Sequence, residues 1–113
     1  EMVSGSHIGV TVQSSSVPIM SETFEFASMG FVPSGSYKNR EFRKCMMEFQ
    51  SDFSPVMRDI LFDPQTSGGL LAGCHVDIAD DVVSSLKEAG IEYASIIGYV
   101  DKSNVGKVKI VLD

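Results

Sequence analysis

Residues 63–71 read Asp-Pro-Gln-Thr-Ser-Gly-Gly-Leu-Leu (DPQTSGGLL), and they separate a helical pattern from an apolar run. Pro64 has no N–H to donate and disfavours the α conformation at Asp63, so a helix is predicted to end there. The apolar run from Leu70 onward predicts a strand over residues 69–74, and its small residues indicate that both faces are covered. The stretch therefore predicts a helix, a short polar loop and a core strand, in that order.

The polar loop between this helix and this strand is a candidate phosphate-binding site. Thr66 and Ser67 supply hydroxyls that can bond nearby backbone, while Gly68 and Gly69 permit positive φ or close backbone approach. Consecutive N–H groups in such a loop at the entrance of a strand can receive a phosphate. The alternative is that the two glycines serve only the turn, since Gly-Gly loops are common connections.

The composition is that of a folded, acidic protein. The 113 residues are 43% hydrophobic and 21% charged, enough for one core and too few for two domains, so residues 1–113 are predicted to form a single domain. The formal net charge of −6 argues against nucleic acid as a partner, because surfaces that bind nucleic acid are basic. No run approaches the ~20 apolar residues of a membrane span, so no membrane partner is expected.

The two cysteines, Cys45 and Cys74, leave one disulfide formally open. Two buried thiols in a reducing compartment fit better, because the pair has no close spacing, and a cytoplasmic location is expected. The N-terminus has no basic-then-apolar leader pattern. It also does not start with Met, so we expect the chain to be a fragment of a longer protein or a truncated one.

Hydrophobic periodicity and turn residues predict mixed helices and strands, and hence an α+β fold. Residues 7–13 alternate, which predicts a strand with Ile8, Val10 and Val12 on its buried side. Residues 31–39 are rich in Pro, Gly and Ser and are predicted to form a loop. The other predicted elements are helices over residues 18–30 and 54–63, a short strand over 46–49, a strand over 93–100, a hairpin turn over 101–106 and a final strand over 108–112.

Residues 77–90 carry the clearest helix pattern. Asp77 is predicted to cap the helix and Gly90 to end it. Acidic residues in the first turn of a helix interact favourably with the helix dipole, which explains Asp80 and Asp81 without a metal site. The face predicted to be buried consists of Ile78, Val82, Leu86 and Ala89.

The only basic cluster in the chain begins at the end of the predicted loop of residues 31–39 and continues just after it. It is compatible with an anion site, but a solvated turn or helix of mixed charge is the simpler interpretation. Its members are Lys38, Arg40, Arg43 and Lys44.

The stretch of residues 63–71 resembles the C-terminal-domain signature of the selenide, water dikinase (selenophosphate synthetase) family. The resemblance extends to Val17-Pro18, to the Gly30-Phe-Val-Pro33 step, and to Ser34, Gly35 and Asn39. It also includes the closing Ile-Ile-Gly-Tyr-Val of residues 96–100, and it covers the chain from about residue 5 to residue 112. A nine-residue match in the right surroundings is more specific than a lone glycine-rich loop.

The resemblance implies a layered α/β/α domain with a mixed sheet, partly ferredoxin-like, as in the C-terminal domains of the aminoimidazole-ribonucleotide synthetase superfamily. It also implies a reaction in which selenide, ATP and water give selenophosphate, AMP and phosphate with Mg²⁺. The full-length enzyme is expected to be a homodimer in which an N-terminal ATP-binding domain precedes this one. Other interpretations are a non-catalytic ligand-binding or dimerisation module, or the equivalent domain of another superfamily member.

The catalytic groups of that family belong to the preceding domain. These are a reactive Cys or selenocysteine with its lysine, and the nucleotide- and metal-binding aspartates. Neither Cys45 nor Cys74 matches the reactive position, so no catalytic residue and no metal ligand is assigned here. The 113 residues alone are expected to be inactive and to hold no cofactor, with Thr66, Ser67, Gly68 and Gly69 as a loop that faces the phosphates.

Overall fold

The computed structural model describes residues 2–112, which form five α helices and a four-stranded sheet. The α helices are α1 (Met2–Ser6), α2 (Thr23–Ser28), α3 (Ser34–Arg43), α4 (Pro55–Leu61) and α5 (Ala79–Glu88). The strands are β1 (Gly9–Gln13), β2 (Met47–Phe49), β3 (Gly98–Asp101) and β4 (Val108–Val111). Short 3₁₀ turns cover Ser14–Ser16, Lys44–Met46 and Val76–Ile78.

The sheet is mixed, with the strand order β2-β4-β1-β3. Strand β4 runs parallel to both β1 and β2, whereas β3 is antiparallel to β1. Val10 of β1 stands opposite Val108 on one side and Val100 on the other. The predicted α+β class with a mixed sheet is therefore confirmed.

The most buried residues lie on the sheet, in the turn after β1, in α1 and α3, and directly before α4. Ile110 on β4 and Phe53 before α4 are almost fully buried. The Phe49 ring of β2 packs 5.1 Å from Phe53 and 6.2 Å from Phe62, centroid to centroid. Helix α4 starts as predicted, because the Ser54 hydroxyl accepts a hydrogen bond from the Met57 N–H at 3.3 Å and Pro55 takes the first helical position.

The predicted hairpin at the end of the chain is wrong, because β1 lies between β3 and β4. The connection over residues 102–107 crosses the end of β1 instead, and the Gly106 N–H donates to the Ile8 carbonyl at 2.9 Å. Gly106 does serve a turn, with φ +79. The crossing connection also covers β1, so Gly9 and Thr11 are its buried residues and Val10 and Val12 are only half-buried, contrary to the predicted face.

Two helices differ from their predicted extents. The predicted loop over residues 31–39 is wrong from residue 34 onward, because α3 begins directly after Pro33 and buries Ser36. Helix α2 begins at Thr23, five residues later than the predicted start at Pro18. Local Gly, Pro and Ser content misled both predictions, since contacts of α2 and α3 with α4 decide where these helices form.

The predicted strand over residues 69–74 is wrong. These residues have no ladder partner among residues 2–112, and every one of them is exposed, with Leu70 exposed completely. The predicted strand over residues 93–100 shrinks to β3, because β1 pairs only with Gly98–Asp101. A strand needs a neighbour for its backbone groups, and an apolar sequence alone does not supply one.

Helix α5 forms where it was predicted, but its surroundings differ. A 3₁₀ turn precedes it, so Asp77 is not its cap, whereas Gly90 ends it with φ +91. The predicted buried face is wrong: Ile78, Val82 and Leu86 are 48%, 38% and 38% exposed, and Ala89 is exposed as well. The predicted burial of the cysteines is also wrong, because Cys45 and Cys74 are exposed free thiols.

Candidate functional site

The candidate phosphate-binding loop starts where α4 ends, as Pro64 predicted. The helix stops at Leu61, and the Asp63 N–H donates to the Ile60 carbonyl at 3.0 Å. One further turn follows, in which the Gln65 N–H donates to the Asp63 carbonyl at 3.1 Å. The end of α4 therefore fixes the first residues of the loop.

The four candidate residues, Thr66, Ser67, Gly68 and Gly69, follow this turn and are all exposed. Their N–H groups and the two hydroxyls have no hydrogen-bond partner within residues 2–112, so the predicted bonds from the hydroxyls to nearby backbone are not formed. Neither glycine has positive φ. A Cβ at position 68 would lie 2.9 Å from Gln65 Oε1, whereas position 69 faces open space. The loop thus presents a row of unused donors to solvent.

Helix α3 supports the start of this loop. The Asn39 amide donates to the Phe62 carbonyl at 3.1 Å, and Arg40 pairs with Asp59 of α4 at 2.7 Å. A Cβ at Gly35 would lie 2.7 Å from Cγ of Pro64, so the helix backbone touches the proline ring. Sequence reasoning placed Gly35 and Asn39 within the family resemblance but did not connect them with the loop.

The basic cluster does not form one anion site. Arg40 is engaged by Asp59, and Lys44 forms an ion pair with Glu41 one turn away. The Arg43 guanidinium lies 4.5 Å from the centroid of the Phe42 ring. The cluster is therefore the exposed helix of mixed charge that was the simpler interpretation. A cleft of about 380 Å³ lies beside it, lined by Asn39, Phe42, Arg43, Leu61, Phe62 and Asp63.

The donor set of the loop does not fit a metal ion. Asp63 is its single carboxylate, and within residues 2–112 no group of three or more His, Cys, Asp or Glu side chains is arranged to hold a cation. Mg²⁺ prefers several oxygen ligands in octahedral geometry. The loop therefore offers N–H and O–H donors and a single carboxylate.

One carboxylate with a perturbed pKa lies away from the loop, at the end of β3. Hydrogen bonds from the Ser103 hydroxyl at 2.6 Å and from the Ser103 and Asn104 N–H groups hold the pKa of Asp101 below its ordinary value. Thr11 adds a longer bond of 3.4 Å. The carboxylate fastens the crossing connection of residues 102–107, which is a structural role.

Comparison with known protein families identifies the class of this domain. Residues 1–111 match the model of the AIR synthase related protein, C-terminal domain family. The chain therefore belongs to that family, which agrees with the α+β fold and the mixed sheet.

The curated relatives are more specific than the family. The chain is 41% identical over 110 residues to a selenide, water dikinase of Pelobacter propionicus. The aligned residues are 97% of this chain and 32% of that protein. It is 38% identical over 100 residues to the selenide, water dikinase of Clostridioides difficile, covering 88% of this chain and 29% of the relative. A relative of the same name from Nitratidesulfovibrio vulgaris is 35% identical over 112 residues, which are 99% of this chain and 32% of the relative. The chain spans about a third of the length of these relatives.

Membrane insertion by a helix has no support in the described part of the chain. Across residues 2–112, no helix combines the length and the apolar character that crossing a bilayer requires.

Proposed function

We propose that this chain acts as the C-terminal domain of a selenide, water dikinase, an enzyme that forms selenophosphate from selenide, ATP and water and releases AMP and phosphate. The observation that carries the proposal is the 41% identity to such an enzyme over 97% of this chain. In this proposal residues 1–113 are one domain of a longer polypeptide. An N-terminal domain of the same polypeptide binds ATP and Mg²⁺, and the whole enzyme works as a homodimer.

Within that enzyme, we assign the loop of residues 66–69 to the phosphates of the nucleotide. Phosphoryl transfer depends on positioning and on stabilising negative charge, and preformed N–H and O–H donors do both. The exposed loop offers four N–H groups and two hydroxyls with no partner in residues 2–112. In this role the loop closes one wall of the nucleotide site without supplying a catalytic group.

A reducing compartment suits the chain, and a cytoplasmic site of action is part of the proposal. Cys45 and Cys74 are free and exposed, a state that persists where thiols are kept reduced. The net charge of −6 also disfavours nucleic acid as a partner.

The decisive experiment is an assay of the complete polypeptide that contains this chain. We expect AMP and selenophosphate to appear, by ³¹P NMR, only when selenide, ATP and Mg²⁺ are all present. The 113-residue chain should neither turn over ATP nor bind it measurably in a calorimetric titration. A complete polypeptide without selenide-dependent ATP consumption, or a 113-residue chain that consumes ATP unaided, would contradict the proposal.

The assignment of the loop has its own test in the complete polypeptide. Thr66→Ala removes one donor, and Gly68→Ala adds a Cβ that would lie 2.9 Å from Gln65 Oε1. We expect each to lower kcat/KM for ATP by about tenfold, the scale of one lost hydrogen bond to a charged group, without a change in melting temperature. Ser84→Ala, at an exposed position on α5, is the matched control. Unchanged turnover in both loop variants would favour the alternative that the loop serves only as a turn.

A further inference from the structure

We infer that Gly35 and Asn39 on α3 are positioning residues for the loop of residues 66–69. This inference rests on the proposed function, because it gives that loop a task at the nucleotide phosphates. It starts from a juxtaposition: two stretches 23 to 29 residues apart in sequence meet in the structure. Asn39 bonds the Phe62 carbonyl, and Gly35 lies against Pro64.

The loop needs such support because little else holds it. Residues 63–70 are all exposed, and the one backbone hydrogen bond that the structure gives between residues of this segment runs from the Gln65 N–H to the Asp63 carbonyl. An exposed segment without packing samples many conformations, and fixing its backbone costs conformational entropy. Contacts at the start of the loop reduce that cost by limiting the directions in which the chain leaves α4.

Gly35 limits the position of Pro64 by close approach. A Cβ there would lie 2.7 Å from Cγ and 2.9 Å from Cβ of Pro64, closer than non-bonded carbon atoms come. The proline ring cannot rotate away as a flexible side chain would, since the ring also fixes φ. Any larger residue at position 35 therefore displaces Pro64, and with it the direction of the loop.

Asn39 holds the preceding carbonyl. The last carbonyls of a helix lack intrahelical partners, and a side-chain amide that bonds one of them fixes the backbone there. The neighbouring ion pair of Arg40 with Asp59, at 2.7 Å, keeps α3 and α4 at this spacing. The three contacts of α3 are thus with Asp59, Phe62 and Pro64, which all precede the loop of residues 66–69.

The first test is structural and uses the 113-residue chain. Gly35→Ala and Asn39→Asp, which keeps the shape of the side chain but removes its N–H donors, should each shift the ¹H–¹⁵N amide resonances of residues 65–69. The matched controls, Gly5→Ala with open space around it and the exposed Lys38→Ala, should leave these resonances in place. If the Gly35 variant does not fold, the Asn39→Asp variant alone tests whether α3 positions the loop. Loop resonances that stay in place would overturn the inference.

The second test is functional and uses the complete polypeptide. We expect Asn39→Asp to lower kcat/KM for ATP by about 10-fold to 100-fold, mainly through KM, because a misplaced loop weakens phosphate binding. A KM equal to that of the wild type, in a variant whose loop resonances have moved, would overturn the positioning role. A wild-type polypeptide without ATP turnover would instead contradict the proposed function. In that case the resonance shifts of residues 65–69 alone would show whether α3 positions the loop.

Discussion

Two regions of this molecule differ in how far they are packed. The packed region, residues 2–62 and 97–112, contains the whole sheet, helices α1–α4 and the buried residues. In the exposed segment, residues 63–96, only Ala79, Val83 and Ala94 are even half-buried. One side-chain bond that joins the two regions runs from the Ser95 hydroxyl to the Ser16 carbonyl at 2.9 Å.

The difference is not one of sequence character, since both regions have apolar periodicity. Residues 69–74 and α5 carry patterns as apolar as those of β1 and α4. The packed region differs because its elements contact one another. Strand β4 pairs with β1 and β2, and α4 packs against α2 and α3. An apolar pattern thus becomes a stabilised element only when another element covers it.

The largest effect is expected from truncating the core. Ile110→Ala on β4, where the side chain is 3% exposed, should lower the free energy of unfolding by about 2–5 kcal/mol. Val82→Ala on α5, where the side chain is 38% exposed, should change it by no more than about 0.5 kcal/mol. Urea denaturation of both variants measures the contrast. Equal losses would mean that α5 is packed in solution and that the two regions do not differ.

A slightly smaller effect is expected from a backbone contact within the sheet. A Cβ at Gly98 would lie 2.0 Å from the Thr11 carbonyl oxygen, so Gly98→Ala must separate β3 from β1 and should cost about 1–3 kcal/mol or more. Gly73→Ala, with open space around it, should be neutral or stabilising by up to about 1 kcal/mol. Thermal unfolding followed by circular dichroism compares the two. A Gly98 variant as stable as the Gly73 variant would argue against this pairing of β1 and β3.

Removing a serine hydroxyl from the cap of α4 or from the interior of α5 gives a third contrast. Ser54→Ala removes the hydroxyl that caps α4 and should cost about 1 kcal/mol. Ser84→Ala, at an exposed position inside α5, should stabilise by a few tenths, up to about 0.5 kcal/mol, because Ala is the better helix former. Chemical denaturation resolves the opposite signs. Were both changes stabilising, the cap hydrogen bond at α4 would not exist in solution.

The smallest effect is a pH dependence in the packed region. Hydrogen bonds from Ser103 lower the pKa of Asp101, so the ionised carboxylate stabilises the fold above the ordinary pKa of about 4. This contribution is lost as the pH falls through the lowered value. The stability difference between wild type and Asp101→Asn should therefore be larger at pH 7 than at pH 3. Asp80→Asn removes the same charge from α5 and is the control. A difference independent of pH would rule out the hydrogen-bonded carboxylate.

The sequence predicted the local features well. Helix α4 begins at Ser54-Pro55 and ends before Pro64, and Gly90 ends α5, as predicted. Strands β1 and β4 lie where alternation predicted them, and β2 lies within the short strand predicted over residues 46–49. Each of these depends on backbone chemistry within a few residues. The mixed sheet and the family were also predictable, because the motif of residues 63–71 is specific.

The predictions that were wrong concern which elements of the fold pack against or pair with each other. The hairpin was wrong because β1 inserts between β3 and β4, and no residue of the turn encodes that neighbour. The same holds for the buried side of β1, which the crossing connection decides, and for the contact of Gly35 with Pro64. The candidate loop itself was found from sequence, but its support by α3 was not, because the contacting residues lie far apart in the chain.

The position of β4 has a consequence for how this sheet assembles. Strand β4 sits inside the sheet although it follows the other three strands in the sequence, and its partners are β1, nearly 100 residues earlier, and β2, about 60 residues earlier. Pairings of such long sequence separation slow folding, since distant segments must first meet. During synthesis on a ribosome, β1 and β2 remain without their common neighbour until residues 108–111 have emerged.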